Sequence, residues 1–249
     1  MHNTASNLLA LVTRPREDSE SVALALAERG LAVMIEPLLE IEPVPGAVVD
    51  ASGAQGVLVT SANGIRALAR LHADRSLPVW AVGDASAKVS RDLGYGQVES
   101  ADGDVDTLAA LVAARADPAK GVLLHAAGTV NAGDLAGRLG ECGFQVRRQV
   151  LYRAVAAEAL SGDLRHALED GSIQLALFFS PRTAATFVRL VQAAGLGENV
   201  ARIRAYGLSA NVSAKLEPLP WAAVRIAAEP TQAALLAVLD QDLARGRAS

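Results

Sequence analysis

The chain has 249 residues, with 23 Lys plus Arg against 27 Asp plus Glu, a formal net charge of −4. Hydrophobic residues make 51% of it and aromatics only 4%. This length and apolarity exclude a disordered chain and allow one large domain or two small ones, and the slightly acidic balance argues against nucleic acid as the main partner.

In chain order, residues 8–13 form a continuous apolar run, as expected of a strand covered on both faces. Arg14-Pro15 ends it, Asp18 or Ser19 is the expected cap of the next helix, and Gly30 closes that helix. The unit recurs as strand 56–60 with helix 63–71, and as strand 79–82 with helix 86–93. A helix at 106–114, a strand at 122–125 and a helix to about Cys142 follow. The pattern closes with strands at 175–179, 203–206 and 222–226, followed by helices at 182–193, 209–216 and 231–243. Alternating strands and helices predict parallel sheets with helices on both faces.

The pattern is internally duplicated. Gly143 stands where Gly30 stands in the first copy, 113 residues later. Leu58-Val59-Thr60-Ser61 is echoed by Leu177-Phe178-Phe179-Ser180, an offset of 119. Ala81-Val82-Gly83 is echoed by Ala205-Tyr206-Gly207, and Thr107 by Thr231, each at 124. The offsets rise in order, as an old duplication with loop insertions predicts, so two α/β units of about five strands are expected. Two segments break the rhythm. Residues 36–45 alternate apolar and acidic side chains with three prolines, and residues 146–155 alternate apolar and basic ones. They read either as complementary antiparallel strands or as two separate edge strands.

Ligands of open parallel sheets sit beyond the carboxyl ends of the strands. The residues there are Thr13, Arg14, Thr60, Ser61, Asn63, Gly83, Asp84, Ser86, His125 and Gly128 in the earlier part of the chain. Later come Ser180, Arg182, Thr183, Gly207, Ser209 and Thr231. Hydroxyls and glycines at helix starts leave backbone N–H groups for carboxylates or phosphates, and they also simply cap helices. Their recurrence in both copies favours a ligand held by two facing lobes. No dinucleotide fingerprint, Walker loop or nucleophile elbow is present. A single cysteine, Cys142, excludes a disulfide framework, and His2, His72, His125 and His166 have no metal-ligand spacing. His125 reads as a local hydrogen-bonder or an acid/base group. Tyr152, among Arg147, Arg148 and Arg153, reads as packing or as a proton donor.

From about residue 8 to 239 these features resemble the uroporphyrinogen-III synthase family. The matching segments are Val12-Thr13-Arg14-Pro15, Val59-Thr60-Ser61-Ala62-Asn63, and Val82-Gly83-Asp84-Ala85-Ser86-Ala87. To these are added Val150-Leu151-Tyr152-Arg153, Phe178-Phe179-Ser180-Pro181 and Ala228-Glu229-Pro230-Thr231. The resemblance implies an α/β fold of two similar flavodoxin-like parallel-sheet lobes joined by a two-stranded antiparallel connector. One lobe would be residues 1–35 with 158–249, the other 45–145, and the connector 36–44 with 146–157. It implies that hydroxymethylbilane, a linear tetrapyrrole with eight carboxylates, is closed to uroporphyrinogen III with loss of water and inversion of the last ring. No cofactor or metal is implied. Tyr152 would assist water loss. Thr13, Arg14, Ser61, Asn63, Gly83, Ser86, Ser180, Arg182, Gly207, Ser209 and Thr231 would meet the substrate.

The chain departs from the family pattern in two places. Gly207-Leu208-Ser209-Ala210-Asn211 carries its hydroxyl one residue early, and the turn from Gly128 to Gly133 lacks the basic residue often found there. Residues 1–12 lack the basic region of a secretory signal, and no run reaches the ~18–20 apolar residues of a membrane span, so a cytoplasmic monomer is expected. The alternative is a non-catalytic two-lobed small-molecule sensor, or a synthase-like domain that has lost its activity.

Overall fold

The computed structural model describes residues 8–130 and 133–247. The expected first-lobe residues 1–7 and 248–249, His2, and Asn131 and Ala132 of the Gly128–Gly133 turn lie outside the described residues. The elements, in chain order, begin with β1 (Leu9–Val12), α1 (Arg16–Ala27), β2 (Ala32–Ile35), β3 (Leu39–Pro43), β4 (Ala54–Val59), α2 (Ala62–Leu71), β5 (Val79–Ala81), α3 (Asp84–Asp92) and β6 (Val98–Ser100). They continue with α4 (Val105–Arg115), β7 (Val122–Gly128), α5 (Leu135–Glu141), β8 (Val146–Ala156), α6 (Gly162–Glu169), β9 (Ile173–Phe178) and α7 (Pro181–Ala193). The last are β10 (Arg204–Gly207), α8 (Ala210–Leu216), β11 (Ala223–Ile226) and α9 (Gln232–Arg247).

The chain divides into two compact units. The first runs up to Glu40 and resumes at Val155, and the second is Ile41–Ala154. In the first unit the sheet order is β2-β1-β9-β10-β11, with every pair parallel. Both faces are covered, as parallel strands require. Ala10, Val12, Leu175 and Leu177 pack with α1 and α9 through Leu26 and Leu239. Leu11, Ala176 and Phe178 pack on the other face with Phe187, Val191 and Val212. Each fully buried side chain of this size contributes roughly 1.5–3 kcal/mol, so these two layers dominate the unit's stability.

In the second unit the order is β8-β7-β4-β5-β6, again all parallel. Val57, Val59, Leu124 and Ala126 face α2 through Ile65 and Leu68. Leu58, Trp80 and Leu123 face α4 and α5 through Leu108 and Leu139. The strand order matches that of the first unit, 2-1-3-4-5, once β7 is set against β1, β8 against β2, and β4, β5 and β6 against β9, β10 and β11. The duplication seen in the sequence pairs the same strands. It joins two flavodoxin-like sheets, and in the second the chain enters at the middle strand.

β3 lies outside β8 in the sheet. Ala157 N–H donates to Leu38 O and Val44 N–H to Leu151 O, each 3.0 Å. The numbers rise along one strand and fall along the other, so the ladder is antiparallel. Glu42 and Arg153 face each other in that register, with Arg153 Nε 2.8 Å from Glu42 Oε2. An ion pair this exposed is worth about 0–1 kcal/mol, so the buried Leu39 and Leu151 hold the ladder while the charges select its register. The acidic and basic alternating segments are therefore partners. The chain passes between its two units along β3 and returns along β8.

Several local expectations are corrected. α1 starts directly after Pro15, without a side-chain cap. Ser19 is buried inside its first turn and donates to Arg14 O and Pro15 O, and Asp18 also lies within the helix. β7 runs to Gly128, so His125 sits within the strand and not at its end. The short strands β2 and β6 and the helix α6 add to the predicted elements.

Candidate functional site

In the second unit the carboxyl ends of β4, β5 and β7 lead into α2, α3 and the turn after Gly128. Ser61 is the N-cap of α2, and its hydroxyl accepts from Gly64 N–H at 3.3 Å. The same oxygen lies 2.7 Å from Tyr152 Oη. Tyr152 faces Gly128 in the β7–β8 ladder, one residue past a register shift. A β-carbon on Gly128 would lie 2.7 Å from Tyr152 Cζ and 3.0 Å from its oxygen, so glycine is what lets the ring lie across the strand end. Gly64 is equally constrained, because a β-carbon there would run into Ala126 O. α2 thereby approaches β7 closely enough for Ser61 to meet Tyr152.

On the other face of the same sheet, His125 Nε2 is 3.3 Å from Thr60 Oγ1. The imidazole is only 6% exposed. Burial, and then the Arg148 guanidinium, push its pKa down to about 4, so it is neutral at pH 7. Arg148 itself donates to Gly128 O. Asn63 Oδ1 accepts from Arg66 Nη1 at 3.1 Å. α3 begins at Gly83 without a side-chain cap, and its first N–H groups have no partner within the helix. Ser86 is buried in that first turn, and its carbonyl accepts from Ser90 Oγ.

In the first unit, the Thr13 hydroxyl is fully buried and donates to Leu177 O at 3.1 Å. It ties β1 to β9, and the Thr13 carbonyl accepts from Leu38 N–H, so the fully buried residue offers a ligand no side chain. Arg14 lies over the Phe179 ring, with Cζ 4.5 Å from the centroid. Its Nη1 is 3.5 Å from Gln232 Oε1, and its Nη2 is 3.9 Å from Asp18 Oδ2, beyond hydrogen-bond distance. Ser180 caps α7 through Thr183 N–H, and its hydroxyl lies 2.6 Å from Thr183 Oγ1. Arg182 is exposed in the first turn of α7. Gly207 is buried at the end of β10, Ser209 precedes the short α8, and Thr231 caps α9 through Ala234 N–H.

Sequence reasoning thus placed these residues on the strand ends and missed the groups that set them. Gln232 carries no signal of its own, and Gly128 and Phe179 stand out in the sequence only as a strand-end residue and as part of the Phe178–Pro181 segment, not for the contacts they make. Cys142 is exposed, away from these strand ends. Among the described residues no three His, Cys, Asp or Glu side chains come together as metal ligands do. No described helix is long and apolar enough to cross a membrane. What the arrangement offers is uncapped N–H groups and a stacked arginine for anions, and one hydrogen-bonded phenol for proton transfer.

Two doubly wound units of one strand order, with polar small residues at matching strand ends, define a duplicated α/β protein. The chain belongs to the uroporphyrinogen-III synthase family: the family model described as uroporphyrinogen-III synthase HemD matches residues 20–237. The fold is similar to that of uroporphyrinogen-III synthetase from Helicobacter pylori, with a TM-score of 0.63 and 17% identity over 94% of this chain and 99% of that one. It is also similar to a mutant uroporphyrinogen III synthase from Thermus thermophilus, with a TM-score of 0.53 and 16% identity over 96% and 99%. No curated protein sequence matches the chain.

Proposed function

We propose that this protein closes hydroxymethylbilane to uroporphyrinogen III, losing water and inverting the terminal pyrrole ring. Family membership supports the reaction, and the single observation that carries the mechanism is the Tyr152 phenol, 2.7 Å from Ser61 at a strand end. The phenol gives its proton to the hydroxymethyl oxygen. The C–O bond breaks, water leaves, and the pyrrole electrons form the exocyclic double bond of an azafulvene. The substituted α-carbon of the last ring attacks the exocyclic CH2, and its bond to the original bridging CH2 breaks to give a second azafulvene. The free α-carbon of the now inverted ring closes onto that, and the proton this carbon loses returns to the phenolate. Atoms balance as one substrate giving one product and one water.

The remaining work is orientation of a flexible chain, which binding alone supplies. Substrate carboxylates would be met by Arg14 and Arg182 and by N–H groups at the starts of α2, α3, α7 and α9. Ser61, Asn63, Gly83, Ser86, Ser180, Gly207, Ser209 and Thr231 shape those starts, and Thr13 acts only by tying β1 to β9 beneath Arg14. Backbone donors bind carboxylates without a basic surface, which reconciles an octa-anionic substrate with a chain of net charge −4. The reading includes a cytoplasmic monomer that needs no cofactor.

The test is a coupled assay with hydroxymethylbilane that separates the type III from the type I product. Wild type should yield type III. A positioned general acid contributes roughly 10²–10⁴-fold, and a hydroxymethyl group on an electron-rich pyrrole leaves readily, so Tyr152→Phe should slow turnover about 100-fold or less. The residual product should stay type III, because the bound fold of the substrate sets the isomer. Wild-type product that is all type I, formed at the spontaneous rate, would refute the reading.

A further inference from the structure

The two units handle the same capping serine differently. In the first, the Ser180 hydroxyl is used within its own helix, 2.6 Å from Thr183 Oγ1. The matching place in the second unit is Gly64, where a β-carbon would meet Ala126 O, so no side chain can stand there. Ser61 has one hydrogen and two lone pairs. One lone pair takes Gly64 N–H, and the hydroxyl's other partner is Tyr152 Oη. If Tyr152 donated to Ser61, its proton would be turned away from any ligand. If Ser61 donates, the phenol proton is left to point outward.

We infer that Ser61 is a positioning residue that acts through Tyr152 and not on the substrate directly: it donates to the phenol oxygen, aims the phenol proton, and meets the phenolate charge once that proton has gone. The inference deepens the reading of Tyr152 as the acid and rests on it. Ser61 is then needed most when the C–O bond breaks, so its loss lowers kcat and leaves KM nearly unchanged.

The experiment measures kcat and KM for type III formation in Ser61→Ala, Ser61→Thr, Ser61→Asp, Tyr152→Phe and the Ser61→Ala/Tyr152→Phe double variant, with far-UV circular dichroism of each. Ser61→Ala should lower kcat about tenfold, the loss of one hydrogen bond made to a developing charge. Ser61→Thr, which keeps the hydroxyl, should restore it. Aspartate caps a helix as well as serine but cannot donate. Ser61→Asp should therefore be at least as slow as Ser61→Ala, which a purely structural cap would not explain. The double variant should be no slower than Tyr152→Phe alone. Wild-type rates in Ser61→Asp, or losses that multiply in the double variant, would overturn the inference and leave the acid in place. Full activity in Tyr152→Phe would overturn the acid itself. Should Ser61→Ala fail to fold, the Thr and Asp variants decide alone.

Discussion

A methyl group on Gly128 would stand 2.7 Å from Cζ of Tyr152, so the ring of that tyrosine occupies the space that any other residue at 128 would claim. Gly128 does not have a positive φ, so alanine strains no backbone there. Gly128→Ala should push the phenol off Ser61 and lower type III formation to about the level of Tyr152→Phe. The melting temperature should fall by only a few degrees, as expected of ~1–2 kcal/mol of overpacking. Crystals or amide exchange of the variant would show the displaced ring.

Arg14 lies over Phe179, with Cζ 4.5 Å from the ring centroid, before any ligand arrives, which reduces the ordering cost of binding a carboxylate. Arg14→Leu should raise KM for hydroxymethylbilane roughly tenfold with a smaller change in kcat, the mark of uniform binding lost. The effect should shrink at high salt, where charge attraction is screened. Steady-state kinetics at two ionic strengths provide the check.

His125 supplies a pH signature. Its folded pKa of about 4 lies below the ~6.5 of an unfolded chain, so between those values the unfolded state binds a proton that the folded state refuses. Stability contributed by this group is complete above pH ~6.5 and is lost as pH falls toward 4, at most about 3 kcal/mol. His125→Gln should flatten the fall of urea midpoints between pH 7 and 4 relative to wild type. Parallel curves for the two proteins would show that His125 does not titrate in this way.

Asp242 is 6% exposed and is reached by Tyr206 Oη and Arg225 Nε, both at 3.2 Å. Burial pushes the Tyr206 phenol up to about 12, so it remains a donor. Asp242→Ala takes the acceptor from that donor and from Arg225 Nε, and removes an ion-pair partner of Arg245. It should cost about 2–3 kcal/mol in denaturant unfolding, with kcat unchanged below the melting transition.

Much of this was visible in the chain itself, and the rest was hidden for identifiable reasons. The continuous apolar runs of β1, β4 and β9 announce strands buried on both faces. β2 and β6 did not announce themselves, because each is three or four half-exposed residues whose burial depends on neighbours far away in sequence. The strand read from sequence stops at His125, and only the ladder to β8 carries it on through Ala126, Ala127 and Gly128. Charge alternation leaves residues 36–45 and 146–155 open between antiparallel partners and separate edge strands, and only the resemblance implies the connector. Ser61, Ser180 and Thr231 could be put at strand ends from sequence because helix caps are local. Side-chain direction is not local: Thr13 turns inward to Leu177, and Tyr152 finds Ser61 from 91 residues away.

The insertion of one unit within the other also orders the events of synthesis. Thr13 must wait for Leu177, 164 residues later, before β1 gains its β9 neighbour. At roughly 5–20 residues per second the ribosome takes about 10–30 s to supply it. Every strand of the second unit has emerged by then, so the inner unit folds first while β1 and β2 stand as a pair with both outer edges open. The outer unit is thus the late and aggregation-exposed half of biogenesis, although β1 and β2 are made before any strand of the inner unit.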